Sequence, residues 1–574
     1  MNDFPFQSPV RSGGEDPNAL LFVALGGANE IGMNLNLYGA AGQWLIVDCG
    51  VTFGDDSQPG LDVVMPDPAF IAERRDRLLG IVATHAHEDH IGAIPYLWPQ
   101  LRCPVWATPF TASVLRAKLV EAGLADKVRI NIVPMSGRFS IGPFDLELVT
   151  LTHSIPEPNA VVLRTAAGTV LHTGDWKLDP DPLIGLPADE DALRRLGDEG
   201  VLAMICDSTN ALRPGSSGSE ADLRRSLTDL VGRYDARVAV ACFASNVARL
   251  ETIAHAAKVH GREVALVGRS LWRIEKAARE NGYLANLPRF LTEDEAAYIP
   301  RDRILMICTG SQGEPRSALA RIARDDHPNV ELETGDAVIF SSRIIPGNEK
   351  AIGRLQNALA RLGVEIVTEQ DHFVHVSGHP ARDELIRMYQ MIRPRVAIPV
   401  HGEARHLLAN AEIAGECQVP ETLVIENGDL VRLGSSGAVV IDEVPVGRLA
   451  SDGKTLLPLD GTALKDRRRV VFNGSVVGTL VLDAKGRLAA PPAISLIGLV
   501  EPDMAEKAAP FFRAAVERAL DELPPAARRD DDVVAEAARR TLRRALNERF
   551  GKRPLTEIQI VRIGAERGQS RKGP

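Results

Sequence analysis

Short, nearly continuous apolar runs punctuate the first two hundred residues: Leu20–Leu25, Trp44–Val47, Leu79–Ala83, Leu146–Leu151, Ala160–Leu163, Thr169–His172 and Val201–Cys206. Gly, Asp or Asn bounds most of them, and runs this short read as strands rather than helices. Helical patterns lie between, as at Thr111–Ala122, so this part predicts sheets covered by helices. The Gly/Ser-rich stretch Arg213–Glu220 reads as a loop or domain crossing. Beyond it, strands at Val238–Phe243, Glu263–Val267, Ile304–Thr309 and Ala337–Ser341 alternate with helices near Val247–His260 and Lys350–Leu362. That βαβ alternation predicts a parallel sheet. From about Glu365 the first rhythm returns; residues 446–465 read as a linker, and 466–574 as short strands followed by Arg-rich helices. Residues 1–18, polar and rich in Gly and Pro, read as a flexible tail.

Composition alters this picture in two places. The 574 residues suggest three or four domains, and 45% apolar and 25% charged residues are ordinary for a globular chain with a sizeable core. With 66 Lys and Arg against 76 Asp and Glu, the net charge is −10, which excludes a globally basic nucleic-acid coat. Binding a polyanion would need local patches or metal ions. Six cysteines (Cys49, Cys103, Cys206, Cys242, Cys308, Cys417) are scattered singly, several inside apolar runs. That pattern fits a reducing cytosol and fits neither a disulfide framework nor a thiolate zinc site. No signal-peptide pattern and no run of about 18 apolar residues is present, so the expectation is a soluble cytoplasmic protein without a membrane partner.

The strongest chemical signal is Thr84-His85-Ala86-His87-Glu88-Asp89-His90, directly after the apolar run Leu79–Ala83. His85 and His87, at i and i+2, share a face of the extended chain, and Asp89 and His90 lie where the next helix opens. Nitrogen and oxygen ligands so close together suit zinc, and manganese also fits. A polar loop with fortuitous histidines is the bland alternative, and three His with one Asp in HxHxDH count against it.

This spelling resembles the metallo-β-lactamase fold family, which holds one or two metals at the edge of an αββα sandwich. Further motifs match in order: Asp48 in VDCG, His153 in LTHSIPE and Asp175 in HTGDWK. Asp207 in CDSTN, His379 in HVSGHP and His401 in PVHGE then match the β-CASP subgroup, the nucleic-acid-processing branch. The roughly 160 residues from Asp207 to Glu365 are long enough for an inserted β-CASP domain. Within the subgroup the chain resembles the bacterial ribonuclease J family through LGGANEIGMN (25–34), VDCGVTFGDD (47–56), ATHAHEDHIGAIPYL (83–97), FASNVARL (243–250), CTGSQGEP (308–315), SSRIIPGNE (341–349), HVSGH (375–379) and PVHGE (399–403). Asn29 and Ala86 stand where that family commonly has Gly. Asn tolerates a left-handed backbone, and position 86 is not a ligand position.

The resemblance implies an α/β chain organised as a metallo-β-lactamase αββα sandwich (19–210 and 366–445), an inserted β-CASP parallel-sheet domain (211–365), the linker and a small C-terminal α+β domain (466–574). It assigns His85, His87, His153 and Asp175 to one metal, and Asp89, His90, His401 and the shared Asp175 to a second. Asp48 and Asp207 would orient ligands from behind. The metals expected are two Zn²⁺ per subunit, with Mn²⁺ or Mg²⁺ as alternatives; some relatives also carry a structural Ca²⁺ near the first-motif loop, for which no ligands can be placed. The implied reaction is hydrolysis of single-stranded RNA, 5′→3′ from a 5′-monophosphate and also internally, in RNA maturation and decay. A metal-bound hydroxide would attack phosphorus, and Asp89, Asp175 and His379 would be catalytic. Ser245, Asn246, His375, Ser377, Gly378 and His379 would read the 5′-phosphate, and the backbone of Thr309–Gly313 can also face phosphate because Gly-rich turns let the main chain approach closely. Homodimers or homotetramers, and partners in an RNA-degradation complex, complete the expectation.

Other readings differ in what they need. A small-molecule hydrolase of this fold would not need the insert or the HVSGH loop. A DNA-processing β-CASP nuclease shares the motifs, which read phosphate and metal rather than the 2′-hydroxyl. A metal-dead RNA-binding scaffold would be expected to have lost ligands, whereas all seven and His379 are present. Seven of the 13 histidines fall in proposed metal or phosphate positions. In the C-terminal segment Arg467–Arg469 and Arg528, Arg529, Arg539, Arg540, Arg543 and Arg544 read first as solvated helix faces, because Asp530–Asp532 and Glu536 interrupt them.

Overall fold

The structure, a computed structural model, describes residues 19–54, 58 and 60–564. The tail expected at residues 1–18 lies outside the described residues. The described residues separate into two units, one holding 19–54 and 62–449, the other holding 58, 60, 61 and 450–564.

Two sheets form the centre of the first unit. One has eight strands in the order 437–443, 429–434, 20–26, 35–40, 43–47, 78–82, 105–107, 130–132. The other has seven, in the order 421–422, 396–400, 203–207, 168–172, 159–165, 144–150, 138–141. Their inner faces share one core, in which Phe22, Tyr38, Leu45 and Val431 from the first sheet meet Leu146, Val161, Ile205 and Ile398 from the second. The outer face of the seven-stranded sheet packs on helices Glu190–Glu199, Arg382–Ile392 and Ala404–Glu416 through Leu193, Leu196, Leu385, Met388 and Ile413. Strands buried on both faces read as continuous apolar runs rather than alternating ones, which is why these were visible in the sequence. The αββα sandwich is as expected.

Between the strands Ala203–Asp207 and Val396–Val400, which pair in parallel, the chain leaves to form a five-stranded sheet. Its order is 263–267, 304–308, 238–241, 337–340, 365–367, and every pairing is parallel. The predicted parallel insert is present, with one correction: Glu365–Val367 is the edge strand of this sheet and pairs with Ala337–Ile339, so the earlier strand–turn rhythm resumes after it. A three-residue edge strand carries too short a pattern to be assigned to either domain from sequence.

A second correction concerns residues 446–465, expected as a linker. They contain strands Arg448–Asp452 and Thr455–Pro458 and the start of helix Thr462–Asn473. The Gly/Asp/Pro content that suggested loose chain belongs to turns; Gly453 takes φ +61° between the two strands. Arg467–Arg469 accordingly lie in a helix with Val470 and Val471, so the C-terminal segment does not open on a strand. There Arg467 bonds Asp452, Arg468 the Leu459 carbonyl and Arg469 Asp466. The remainder is a three-stranded sheet, 493–497, 475–482 and 555–562, packed on helices Pro502–Asp521 and Asp531–Phe550 through Leu480, Phe512, Leu542 and Leu546. Arg539 and Arg540 pair with Glu536, consistent with a solvated helix face. Among the described residues, no helix is long and apolar enough to cross a membrane.

Candidate metal centre

Six strands deliver their C-terminal ends to one edge of the sandwich. Asp48 follows 43–47, the His motif follows 78–82, His153 follows 144–150, Asp175 follows 168–172, Asp207 ends 203–207 and His401 follows 396–400. His379 arrives from the HVSGH loop. Two of these residues carry a left-handed backbone, Asp48 at φ +65° and His401 at φ +53°. Non-glycine residues rarely adopt this conformation, and such strain concentrates where surrounding structure holds a functional side chain in place. Gly50 is required by close approach: a Cβ there would sit 1.7 Å from the Asp89 carbonyl oxygen. Its neighbour Cys49 donates its N–H to the His90 carbonyl at 2.6 Å.

Three ring nitrogens converge first. His87 Nδ1 lies 3.1 Å from His85 Nε2 and 3.0 Å from His153 Nε2. Asp175 Oδ2 closes the group at 3.9 Å from His85 Nε2 and 3.7 Å from His153 Nε2. Tetrahedral zinc with Zn–N of about 2.0–2.1 Å has ligand–ligand edges of about 3.3 Å, close to these separations. A second group shares Asp175: His90 Nε2 is 3.2 Å from its Oδ2, His401 Nδ1 is 3.4 Å from its Oδ1, and Asp89 Oδ2 is 3.2 Å from His401 Nε2. His379, with Asp207, Asp175 and His401, forms a third cluster of ligand-capable atoms, in which His379 Nδ1 donates to Asp207 Oδ2 at 2.8 Å. That bond leaves Nε2 as the free ring nitrogen of His379.

Burial works against every charge here, and neighbours decide each outcome. It dominates at His85 and His153, whose pKa values fall well below the ordinary histidine value, and at His87, which falls to about 4. All three present neutral imidazoles, the form that binds metal. At His90 the carboxylates of Asp175, Asp48 and Asp89 outweigh burial and raise the pKa; at His401, Asp175, Asp207 and Asp89 do the same. Asp89, Asp175 and Asp207 are in turn held well below the carboxylate range, with the facing imidazoles overcoming the burial penalty. Asp175 Oδ1 is buried with no hydrogen-bond partner. An ionised carboxylate oxygen without a donor is costly in protein interiors. A divalent cation would satisfy it, so the residues fit the metal that the fold implies.

Residues behind the cluster orient it. Asp48 accepts from Thr84 N (2.8 Å), Thr84 Oγ1 (2.9 Å) and His90 Nδ1 (2.6 Å). Asn34 Nδ2 lies 3.2 Å from His90 Nε2, and His153 Nδ1 donates to the Gly378 carbonyl at 2.5 Å. A Cβ at Gly378 would come 2.7 Å from His153 Cε1, so glycine permits this contact. Thr209 Oγ1 bridges Asp207 Oδ1 (2.8 Å) and His401 Nδ1 (3.0 Å). Thr84, Asn34 and Thr209 were missed by sequence reasoning, although each lies inside or beside a quoted motif.

The residues expected to read a phosphate are placed unequally. Ser377 and Gly378 lie against the centre through the His153 contact and Asn210, whose Nδ2 donates to Ser377 Oγ (2.7 Å) and to the His379 carbonyl (3.1 Å). Ser377 Oγ also accepts from His379 N at 3.2 Å, so its own hydrogen remains to donate outward. His375 Nδ1 is buried with no partner. Asn246 uses its side-chain oxygen to cap helix Val247–Val259, accepting from Arg249 N at 2.9 Å, and Ser245 is half-buried beside it. A cavity of about 110 Å³ is lined by His153, Ile155, Glu157, Glu220, Ala248 and Tyr283, among others, so the metal cluster and the first turn of that helix face common space. Asn210 had no signal in the sequence beyond its place in CDSTN.

Comparison with known proteins agrees with this geometry. Family models match in sequence order: "Metallo-beta-lactamase superfamily" over residues 34–233, "Ribonuclease J, beta-CASP domain" over 235–359, "Zn-dependent metallo-hydrolase RNA specificity domain" over 363–416 and "Ribonuclease J C-terminal domain" over 462–563. The chain is 46% identical over 549 residues to Ribonuclease J of Sinorhizobium meliloti, covering 95% of this chain and 97% of that one. It is 42% identical over 556 residues to Ribonuclease J of Mycolicibacterium smegmatis (95% and 98% covered) and 38% over 569 to that of Mycobacterium tuberculosis (98% and 100%). A solved structure of a protein of unknown function from Enterococcus faecalis superposes with a TM-score of 0.50 at 16% identity, over 72% of this chain and 100% of that one, and speaks to the fold alone.

Proposed function

We propose that this chain, which belongs to the ribonuclease J family, degrades RNA 5′→3′ from a 5′-monophosphate end and also cuts internally. It is a metal-dependent hydrolytic ribonuclease of the metallo-β-lactamase superfamily, and RNA is its substrate. The metal-dependent part of the reading rests above all on Asp175, whose buried Oδ1 accepts no hydrogen bond and whose carboxylate belongs to both clusters of imidazole and carboxylate ligand atoms.

His85, His87, His153 and Asp175 would hold one ion, and Asp89, His90, His401 and Asp175 the other, zinc being the first choice on this donor set. Bound there, two divalent ions supply Lewis-acid charge and activate water for in-line displacement at phosphorus. An acidic protein thereby meets a polyanion with cationic charge confined to the reacting centre. Asp48 holds His90 and Thr84 in place. Asp207 holds His379 through Nδ1, which leaves Nε2 to hydrogen-bond a phosphoryl oxygen or give a proton to the leaving oxygen. Ser377 Oγ, the backbone at Gly378, and His375, Ser245 and Asn246 supply donors for a 5′-phosphate, a role that Asn246 fills with its amide nitrogen because its oxygen caps a helix.

The wider reading has residues 19–210 and 368–445 as the catalytic sandwich, the insert ending at Val367, and places the enzyme in RNA maturation and decay in the cytoplasm. Five buried free cysteines and one half-buried one suit that compartment. Homodimers or homotetramers joined through the C-terminal unit are supported by exposed Ile497 and Val561 on its sheet and by Ile563 just beyond it. Digestion of matched RNA and DNA oligonucleotides bearing 5′-monophosphate, 5′-triphosphate or 5′-hydroxyl ends, with zinc or manganese, tests the proposal. Faster release of mononucleotides from 5′-monophosphate RNA is expected; equal rates on all three RNA ends, unaltered by Ser377→Ala, would remove the 5′-phosphate pocket.

A further inference from the structure

A line of buried polar side chains runs from the metal edge into the insert. Thr152, adjacent to His153, donates its hydroxyl to the Lys177 carbonyl (2.7 Å) and accepts from Asp179 N (3.0 Å). Asp179 pairs with Lys177 Nζ at 2.9 Å and accepts from Glu220 N at 3.0 Å. Glu220, at the first turn of helix Glu220–Val231, receives the Arg249 guanidinium at 3.1 and 3.4 Å. Arg249 also donates to Ser341 O and Oγ, both at 2.7 Å, and Ser341 Oγ donates to the Val374 carbonyl at 2.7 Å, one residue before His375. Thr152, Lys177, Asp179, Glu220, Arg249 and Ser341 are all under 5% exposed.

Buried ion pairs are no more stabilising than well-packed apolar side chains of similar volume, so stability alone does not account for two such pairs in series with two buried hydroxyls. What they provide is direction. A guanidinium held by a carboxylate on one side and by a carbonyl and hydroxyl on the other has one geometry, unlike an apolar contact that can slide. The line passes behind both halves of the phosphate site. Arg249 is the residue whose N–H is capped by Asn246, and Ser341 ties down the chain entering His375.

We propose that Glu220 and Arg249 are positioning residues that fix the spacing between the 5′-phosphate pocket and the metal centre, and so set which phosphodiester lies at the metals when a 5′ end is bound. This rests on the 5′-phosphate reading given above. The effect of these two residues is transmitted through Asn246 and Val374.

The test is Arg249→Met with Glu220→Leu, which removes both charges together and leaves no unpaired buried ion; near-isosteric Glu220→Gln serves if the double variant does not fold. Each full-length variant is checked for bound metal and melting temperature, then assayed on 5′-monophosphate and 5′-hydroxyl RNAs of one sequence. The expected result is a fall of tenfold or more in kcat/KM on 5′-monophosphate RNA, with less than a twofold change on 5′-hydroxyl RNA. The first products should also spread from mononucleotides to mixed short lengths. Arg249→Lys, which keeps the charge and loses the fork, should behave like Arg249→Met. An unchanged ratio of the two substrates with uniform first products, in a folded and metal-loaded variant, overturns the positioning role. A parallel fall on both substrates also overturns it, since the pair would then support the metal centre. If the wild-type enzyme itself does not distinguish the two ends, the pocket reading fails first and the proposal with it.

Discussion

Asp48→Asn offers a sharp test of how the centre is held. Asp48 carries a left-handed backbone, φ +65°, which Asn tolerates better than other replacements, so the substitution adds little backbone strain. The amide has the shape of the carboxylate, and one oxygen can still accept from Thr84 N, at 2.8 Å in the native protein. The other position, Oδ2, receives two donors, Thr84 Oγ1 at 2.9 Å and His90 Nδ1 at 2.6 Å. Placing an NH₂ group there sets donor against donor, in a site without water access because Asp48 is fully buried. Loss of a charge-assisted hydrogen bond costs about 1.5–3 kcal/mol, which corresponds to roughly 10–100-fold in metal affinity, the range found when residues orienting a metal-bound histidine are altered. Because His90 belongs to the cluster with Asp89 and His401, that ion should weaken by the full amount. The ion at His85, His87 and His153 is reached only through Thr84, whose Oγ1 lies 2.9 Å from His85 Nδ1, and should weaken by less. Competitive chelator titration with zinc resolves two affinities in the wild-type protein and measures both in the variant. Equal weakening of both ions, or none, would refute the assignment of His90 and the role of Asp48.

Three further outcomes are expected. His379→Ala should keep its metal and lose roughly 10²–10⁴-fold in kcat, the usual worth of a positioned acid–base group; metal analysis showing a lost ion would make His379 a ligand. Asn210→Ala removes the amide that orients Ser377 Oγ, and should lower the preference for 5′-monophosphate over 5′-hydroxyl RNA by about 2–10-fold, read from paired kcat/KM values. Glu147 accepts from Arg138, Arg164 and Arg195, and Arg164 and Arg138 overcome burial to hold its carboxyl below the usual glutamate value. A pKa lowered on folding gives stability that is present above the unfolded value of about 4.3 and lost as pH falls through the folded one. Glu147→Gln should therefore lower the melting temperature at pH 7, and the gap should close in acid below that folded value; a gap independent of pH would refute the pairing.

The sandwich strands could be read from sequence because they are buried on both faces and spell themselves as apolar runs, Leu20–Leu25 and Val201–Cys206 being clear instances. The candidate ligands that the fold brings together could be read because metal chemistry allows few residue types and the His motif concentrates four of them. What escaped has a physical reason in each case. Glu365–Val367 is three residues long, too short to show which sheet it joins. Asp452-Gly453 was mistaken for linker because a hairpin turn and a flexible segment use the same residues. Thr84, Thr209 and Asn210 act through hydrogen bonds, some of which, for Thr209 and Asn210, reach residues up to 192 positions away, and an amide or hydroxyl has no spacing rule to betray it. The line from Thr152 to Val374 was hidden for the same reason: its members are ordinary charged and hydroxyl residues until folding buries them together.

The central claim is that two metal ions, sharing Asp175, make this acidic protein a ribonuclease. It is tested most directly by stripping the protein with chelator and measuring RNA cleavage as zinc or manganese is added back, alongside the bound metal. The account predicts that cleavage returns with about two ions per chain, and that Asp175→Asn, which alters the shared ligand, loses both ions and the activity together. Full cleavage with one ion bound, or by the metal-free protein, would contradict it.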